Sequence, residues 1–258
     1  MKRLLFFLTR ITILIIAINL TSPVSGKAIH VDLFNVDNGL VQSGVTGVIQ
    51  DSYGFLWIAT QDGLNRYDGY YFKTFRNSPL DSSSLSNNYI NAMCEDRIGN
   101  IWLGTNLGLS MLDRETGKFI NYYSKVDDPS TLSDNRIYSV YQDKRGTIWV
   151  KTLTSLDEFD SSKKTFTRYP HYNDLFTFTT DFTDFDIFED SQDVLWVGTK
   201  DGLCFFDRQL KIFKRFTNNP QDSKSISNDK IKDVFEDSHG NLWIGTENGL
   251  NRFDRKNN

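Results

Sequence analysis

Tryptophan recurs in this chain at a nearly constant step, with Trp57, Trp102, Trp149, Trp196 and Trp243 separated by 45, 47, 47 and 47 residues. A period of that size restricts the chain to a repeat architecture, in which one supersecondary unit is stacked because it cannot bury its apolar face alone. Each Trp holds the same place in one phrase. The second copy reads DRIGNIWLGTNLGLSMLD from Asp96 and the fifth DSHGNLWIGTENGLNRFD from Asp237.

Inside the unit the hydrophobic period is two: Ile137 to Tyr141, Thr147 to Val150, Leu156 to Phe159 and Phe166 to Tyr169 are short β-branched or aromatic runs divided by turn residues. Four short strands per repeat predict an all-β fold, a β-propeller of four-stranded blades. The inner repeat cores fall at 45–68, 90–113, 137–160, 184–207 and 231–254. Between the first two strands stand Asp51, Asp96, Asp143, Asp190 and Asp237, followed three residues on by Gly54, Gly99, Gly146, Asp193 and Gly240. Asp bonds the backbone N–H groups of a tight turn and Gly accepts positive φ, so Asp193 is the weak member. A carboxylate repeated in every blade serves the blade. The Trp residues, flanked by Ile, Leu or Val, read as core between sheets rather than as sugar platforms.

The outer strand is periodic too, through Phe72, Phe119, Phe166 and Phe213, with Phe75, Tyr122, Tyr169 and Phe216 three residues behind. Val31 and Phe34 have the look of the same element. Paired with the last blade, that N-terminal strand would close a five-bladed ring and remove its exposed edges. The alternative is a five-blade arc of a larger propeller, with apolar faces exposed on both terminal blades.

Residues 1–26 obey a different logic. Met1-Lys2-Arg3 is basic, Leu4 to Leu20 is mostly apolar, and Val24-Ser25-Gly26 offers a cleavage point. This reads as an export signal, with an uncleaved anchor as the alternative, and both place the repeat domain 27–258 in the periplasm or at the cell surface. A net charge of −4 argues against nucleic acid, which needs a basic face. Cys94 and Cys204 lie in repeats that need not touch, so no disulfide is expected. Three scattered histidines offer no metal site, and no cofactor is implied.

The phrase D-x-x-G-x-[IL]-W-[IVL]-[GA]-T-x-x-G-L-[NS]-x-[YF]-D resembles the two-component regulator propeller repeat. The connecting loops Pro79 to Asn88, Asp128 to Asn135 and Pro220 to Asp229 resemble those in periplasmic sensor regions of Bacteroidetes-type hybrid two-component histidine kinases. The resemblance implies a sensing part, commonly for oligosaccharides, without implying kinase activity in these residues. The third repeat departs most: Lys151 follows Trp149-Val150 where a small residue stands elsewhere, and Ser155 replaces the glycine before Leu156. Its second hairpin turn should be distorted.

If the N-terminal strand is outermost, the connecting loops share one face with the second hairpin turns, and the Asp-x-x-Gly turns lie on the other. The loop face varies from blade to blade, which is where a rigid scaffold usually carries recognition. The candidate ligand-binding residues are Asp62, Asn106, Asp201, Glu247 and Asn248 from the second turns, with Tyr89, Arg136 and Tyr138 beside Asn88, Asn135, Asp229 and Lys230 at the rim. Amides, carboxylates and tyrosines suit hydroxyl-rich ligands. The expected partner is thus an oligosaccharide or similar polar ligand, with further sensor or kinase domains or a second copy also open. The fourth connecting loop, Pro170 to Thr183, abandons the Ser-rich pattern for aromatics and is a special contact. Asp184, Asp186 and Asp233 on inner strands would suit a glycosidase, but the equivalent positions Gly47, Ala92 and Ser139 supply no matching acid, so no catalytic residue is assigned. A plain protein-interaction scaffold is the third reading.

Overall fold

The computed structural model describes residues 31–152, 155–170, 187–199 and 202–255. The chain divides into two units, Met1–Leu33 and Phe34–Asn258. The expected export signal and the aromatic fourth loop beyond Pro170 lie outside the described residues, as do Asp184, Asp186 and Asp201.

The first repeat forms β1 (Val45–Gln50), β2 (Leu56–Thr60), β3 (Gly63–Tyr67) and β4 (Phe72–Phe75). The second forms β5 (Ile90–Glu95), β6 (Ile101–Thr105), β7 (Gly108–Leu112) and β8 (Phe119–Tyr122), and the third β9 (Ile137–Gln142), β10 (Ile148–Thr152), β11 (Ser155–Asp160) and β12 (Thr165–Pro170). The fourth forms β13 (Ile187–Glu189), β14 (Leu195–Thr199), β15 (Gly202–Asp207) and β16 (Ile212–Phe216), and the fifth β17 (Ile231–Glu236), β18 (Leu242–Thr246) and β19 (Gly249–Phe253). Neighbours in sequence pair antiparallel within each repeat, giving four four-stranded sheets and one of three strands among the described residues. The fold is an all-β propeller array. Its one described helical turn is a 3₁₀ turn at Val36–Asn38.

Alternation puts one face of each sheet against the blade before and the other against the blade after. Trp149, for example, meets Tyr169 of its own blade at 6.0 Å and Phe206 of the next at 5.2 Å. Trp57, Trp102, Trp149 and Trp196 are all buried, as core residues between sheets should be. The Ser-rich connecting loops are scaffold as well: Leu85 and Leu132 are fully buried, and the Ser that follows each bonds a Thr hydroxyl, Ser86 to Thr105 at 3.1 Å and Ser133 to Thr152 at 2.7 Å.

The expected ring closure by an N-terminal strand is not what the structure shows. Residues 31–35 form no strand, and the Phe34 ring lies against Tyr67 and Phe72 of the first blade at 5.4 and 5.8 Å. Its aromatic spacing mimics an outer strand, but the ring finds its apolar partners on the nearest blade. The terminal blades accordingly expose positions that inner blades bury. Val48 is 56% exposed where Val140 is 6%, and Leu250 is 68% exposed where Leu64, Leu109, Leu156 and Leu203 are at 0%.

Ion pairs clasp successive blades along their Asp-x-x-Gly ends. Arg114, Arg208 and Arg255 each stand twelve residues after the Trp of their own blade and reach back to the preceding one. Their guanidinium groups lie 2.6, 2.7 and 2.8 Å from the Oδ2 atoms of Asp51, Asp143 and Asp190. Each also approaches the glutamate that ends the first strand of its own blade, at 3.7 Å for Glu95, 2.8 Å for Glu189 and 3.0 Å for Glu236.

In the third blade Lys151 and Ser155 are buried. The glycines equivalent to Ser155 have φ of 132° (Gly63), 100° (Gly108), 127° (Gly202) and 123° (Gly249), whereas Ser155 is not among the residues of positive φ. A side chain excludes that conformation, so the backbone enters β11 by a different course. Asp193, by contrast, does adopt the glycine's left-handed form, with φ 63°.

Candidate functional site

On the turn face each aspartate does three things at once. Asp51 Oδ1 accepts the N–H groups of Tyr53 and Phe55, at 3.0 and 2.9 Å, and its Oδ2 accepts the Trp57 indole N–H at 2.8 Å. The indole bond recurs at 2.8 to 2.9 Å from Trp102, Trp149, Trp196 and Trp243. The turn bonds follow from the sequence pattern; the indole bond was not foreseen. Its signal is the fixed offset of six residues between Asp and Trp, which places the carboxylate over the ring nitrogen of the next strand.

Burial pushes the Asp51 and Asp143 carboxyls up, but bonds from Trp57 with Arg114, and from Trp149 with Arg208, outweigh it and hold both below the ordinary value of 3.8. Asp237 is held down too, chiefly by the Trp243 indole. In the unfolded chain such carboxyls bind protons near pH about 3.9, while in the folded one they stay ionised lower. Stability from these groups is therefore complete above that value and drains away as the pH falls through their folded values. Asp157, pushed up by burial, acts in the opposite sense. Thermal melts taken from about pH 6 to 2.5 should fall steeply only below about pH 4; a melting temperature indifferent to acid would contradict the assignment.

The loop face is assembled by backbone bonds between second hairpin turns and the segments that lead into first strands. Asn106 N–H donates to the Tyr89 carbonyl at 3.1 Å, Glu247 N–H to Lys230 at 3.0 Å, and Gly63 N–H to Asn88 at 2.8 Å. Loops and second turns thus share a face, as the strand order required. Within it the candidates form separate local groups. Asp62 pairs with Arg76 at 2.5 Å and accepts the Asn88 amide at 3.1 Å. Asn106 accepts the Asn91 amide at 3.0 Å. Glu247 lies 3.0 Å from Lys230 and 3.4 Å from Lys232, and the Lys230 bond holds its carboxyl below the ordinary range.

Not every rim residue is available. Asn88, Asn135 and Asp229 spend a side-chain oxygen on the backbone N–H of Asn77, Ser124 and Asn218 at 2.7, 2.8 and 2.6 Å. They close their own loops. Arg136 and Asn248 are exposed and Tyr89 is half-buried. The Tyr138 hydroxyl is buried without a hydrogen-bond partner. Between the first strands of the first three blades a cavity of about 240 Å³ is lined by Gly47, Ala92 and Ser139 among others. Of the three carboxylates that could suit a glycosidase, Asp233 is exposed on β17. Neither Cys94 nor Cys204 is in a disulfide, and burial followed by the Asp96 charge pushes the Cys94 thiol up to about 12. Among the described residues no group of three potential ligands could hold a metal ion, and no helix is long and apolar enough to cross a membrane.

The two component regulator propeller family matches residues 39–62, 84–107, 131–154 and 225–248, each spanning a connecting loop, first strand, turn and Trp strand. Four of the five repeats are two component regulator propeller repeats. The unmatched blade is the fourth, where Asp193 replaces the turn glycine and the aromatic loop replaces the Ser-rich one. A histidine kinase of Formosa agariphila is 51% identical over 53 residues, which are 20% of this chain and 4% of the kinase. The extracellular domain of a hybrid two-component system from B. thetaiotaomicron superposes with a TM-score of 0.72 at 27% identity, over 87% of this chain and 30% of that one. The extracellular domain of a one-component system from the same organism matches at a TM-score of 0.64 and 21% identity, over 88% of this chain and 28% of that one, a likeness of fold. The regulator propeller repeats of this chain thus span less than a third of either extracellular domain.

Proposed function

We propose that this chain is a ligand-sensing propeller module acting outside the cytoplasm, as part of a two-component signalling system. Its ligand is an oligosaccharide or similar polar molecule, bound on the loop face without turnover. The observation that carries this reading is the contrast between the two faces. The turn face repeats one Asp–Trp bond in every blade, while the loop face presents a different polar group in each of the three blades whose second turns are described: Asp62 with Arg76, Asn106 with Asn91, Glu247 with two lysines. Such variety on a fixed scaffold is how a repeat protein acquires one asymmetric site. The unpartnered Tyr138 hydroxyl is a donor and acceptor for a ligand at the same rim. The likeness to extracellular domains of signalling systems supports the role and the location.

Titration calorimetry against a panel of plant, host and microbial glycans tests it. Asp62→Ala or Asn106→Ala should weaken binding by about 1 to 3 kcal/mol, the cost of removing a buried polar partner, and leave the melting temperature nearly unchanged. Blank titrations across the panel would count against the reading. Release of reducing ends that stops in Asp233→Asn would replace it with a glycosidase.

A further inference from the structure

One joint between blades lacks the arginine–aspartate ion pair, although Arg97 still bonds across it to Gln142 and Lys144. The position that carries Arg114, Arg208 and Arg255 is Ser161 in the third blade, and the glutamate that shares the guanidinium elsewhere is Gln142 there. Asp96 Oδ2 in the second blade therefore receives the Trp102 indole at 2.8 Å and the Asn100 amide at 3.0 Å, but no cation lies within ion-pair distance of it among the described residues.

The two joints differ within the same molecule. Between the first and second blades, where Arg114 is in place, the cleft beside Trp57, Gly99 and Asp113 has a volume of about 70 Å³. Between the second and third blades the equivalent position, beside Trp102, Gly146 and Asp160, opens into a larger cleft of about 740 Å³ that runs on to Lys211 of the fourth blade. It is independent of the loop-face site, since its walls belong to the opposite ends of the strands.

We propose that this cleft is a binding site for a guanidinium group, that of arginine or of an arginine side chain in a peptide. The chemistry is that of the neighbouring joints. There a guanidinium meets a carboxylate Oδ2, a turn carbonyl and an aromatic face. Arg208 bonds Asp143 Oδ2 at 2.7 Å and the Asp193 carbonyl at 3.0 Å, with its Cζ 5.6 Å from the Trp149 ring. Arg114 bonds Asp51 Oδ2 and the Gly99 carbonyl, both at 2.6 Å. In the open cleft Asp96 Oδ2, the Trp102 ring and the Gly146 carbonyl, which also accepts the Gln142 amide at 3.1 Å, stand at the same three repeat positions. The planar fork of a guanidinium can bridge carboxylate and carbonyl while stacking on an indole, which an ammonium cannot do as well. Four cations, Arg97, Arg145, Lys163 and Lys211, also line the cleft, against the carboxylates of Asp96, Glu158 and Asp160, and Arg97 donates to the Lys144 carbonyl beside it. They favour a ligand that carries a carboxylate at its other end, and disfavour a second cation.

The test is calorimetric titration of the purified chain with L-arginine, agmatine, L-lysine, L-glutamate and an end-blocked arginine tripeptide. Arginine should bind, and lysine should bind at least about tenfold more weakly, for want of the fork. Agmatine, which lacks the carboxylate, should fall between them; tripeptide binding equal to or tighter than that of arginine would make the source a peptide side chain, and weaker binding the free amino acid. Ser161→Arg supplies an internal guanidinium and should abolish binding while circular dichroism and melting stay those of a folded chain. Arg114→Ala opens the equivalent joint, and added arginine should raise its melting temperature more than that of the parent. Absence of arginine binding, affinity unchanged in Ser161→Arg, or glutamate binding in place of arginine would each overturn the proposal.

Discussion

Replacing Trp149 by alanine should lower the free energy of unfolding by roughly 3 to 5 kcal/mol, the usual cost of deleting a large buried aromatic. Trp149 is 1% exposed and sits where several contributions meet. Its ring packs on Tyr169 and Phe206, its N–H bonds Asp143 at 2.8 Å, and the Arg208 guanidinium lies over it. A cavity at this joint cannot relax easily, because sheets on both sides are fixed by further blades. Trp243→Ala is the internal comparison. That ring is half-buried and has no described blade beyond it, so its loss should cost about half as much, since less apolar area returns to water. Urea unfolding with an unchanged slope would report both values. Equal costs, or a cost below about 1 kcal/mol at Trp149, would contradict the packing described.

The repeat, its blade count and the buried state of four of its five Trp residues were legible because they are local and periodic: a strand of period two shows its buried face in the sequence, and five copies average out the exceptions. Pairings between blades were harder. Asp113-Arg114, Asp207-Arg208 and Asp254-Arg255 repeat a dipeptide that is absent at Asp68-Gly69 and Asp160-Ser161. The dipeptide is visible, but each Arg bonds an Asp 63 or 65 residues earlier, and nothing in a period of 47 announces a partner one blade back. Closure failed for a related reason. The spacing of Val31 and Phe34 fits an outer strand, yet strand pairing is set by a register that two side chains cannot specify, and Phe34 packs on the first blade. On the loop face the polar residue types are visible in the sequence. Whether a side chain closes its own loop, as Asn135 does, or is exposed, as Arg136 is, depends on backbone geometry that a single sequence does not carry.

The clasps yield the second large effect. Arg208 is 15% exposed while the carboxylates it joins, Asp143 and Glu189, are at 0%. Removing the cation in Arg208→Met leaves two buried negative charges facing one another, and the expected loss is about 3 to 5 kcal/mol. The exposed pair Lys230 with Glu247 offers the contrast, because Lys230→Met removes a charge that water already screens and should cost at most about 1 kcal/mol. Acidity separates an uncompensated charge from simple loss of packing. In the parent chain Arg208 helps to hold Asp143 below its ordinary value; without it the buried Asp143 carboxyl takes up a proton more readily when folded than when unfolded. Stability of Arg208→Met should therefore recover as the pH is lowered towards about 4, while the parent gains nothing from Asp143 over the same interval. Adding Glu189→Gln to Arg208→Met should restore part of the loss at neutral pH. If the deficit of Arg208→Met is the same at pH 7 and pH 4.5, the arginine acts by filling space, and the electrostatic account of the joint between the third and fourth blades is wrong.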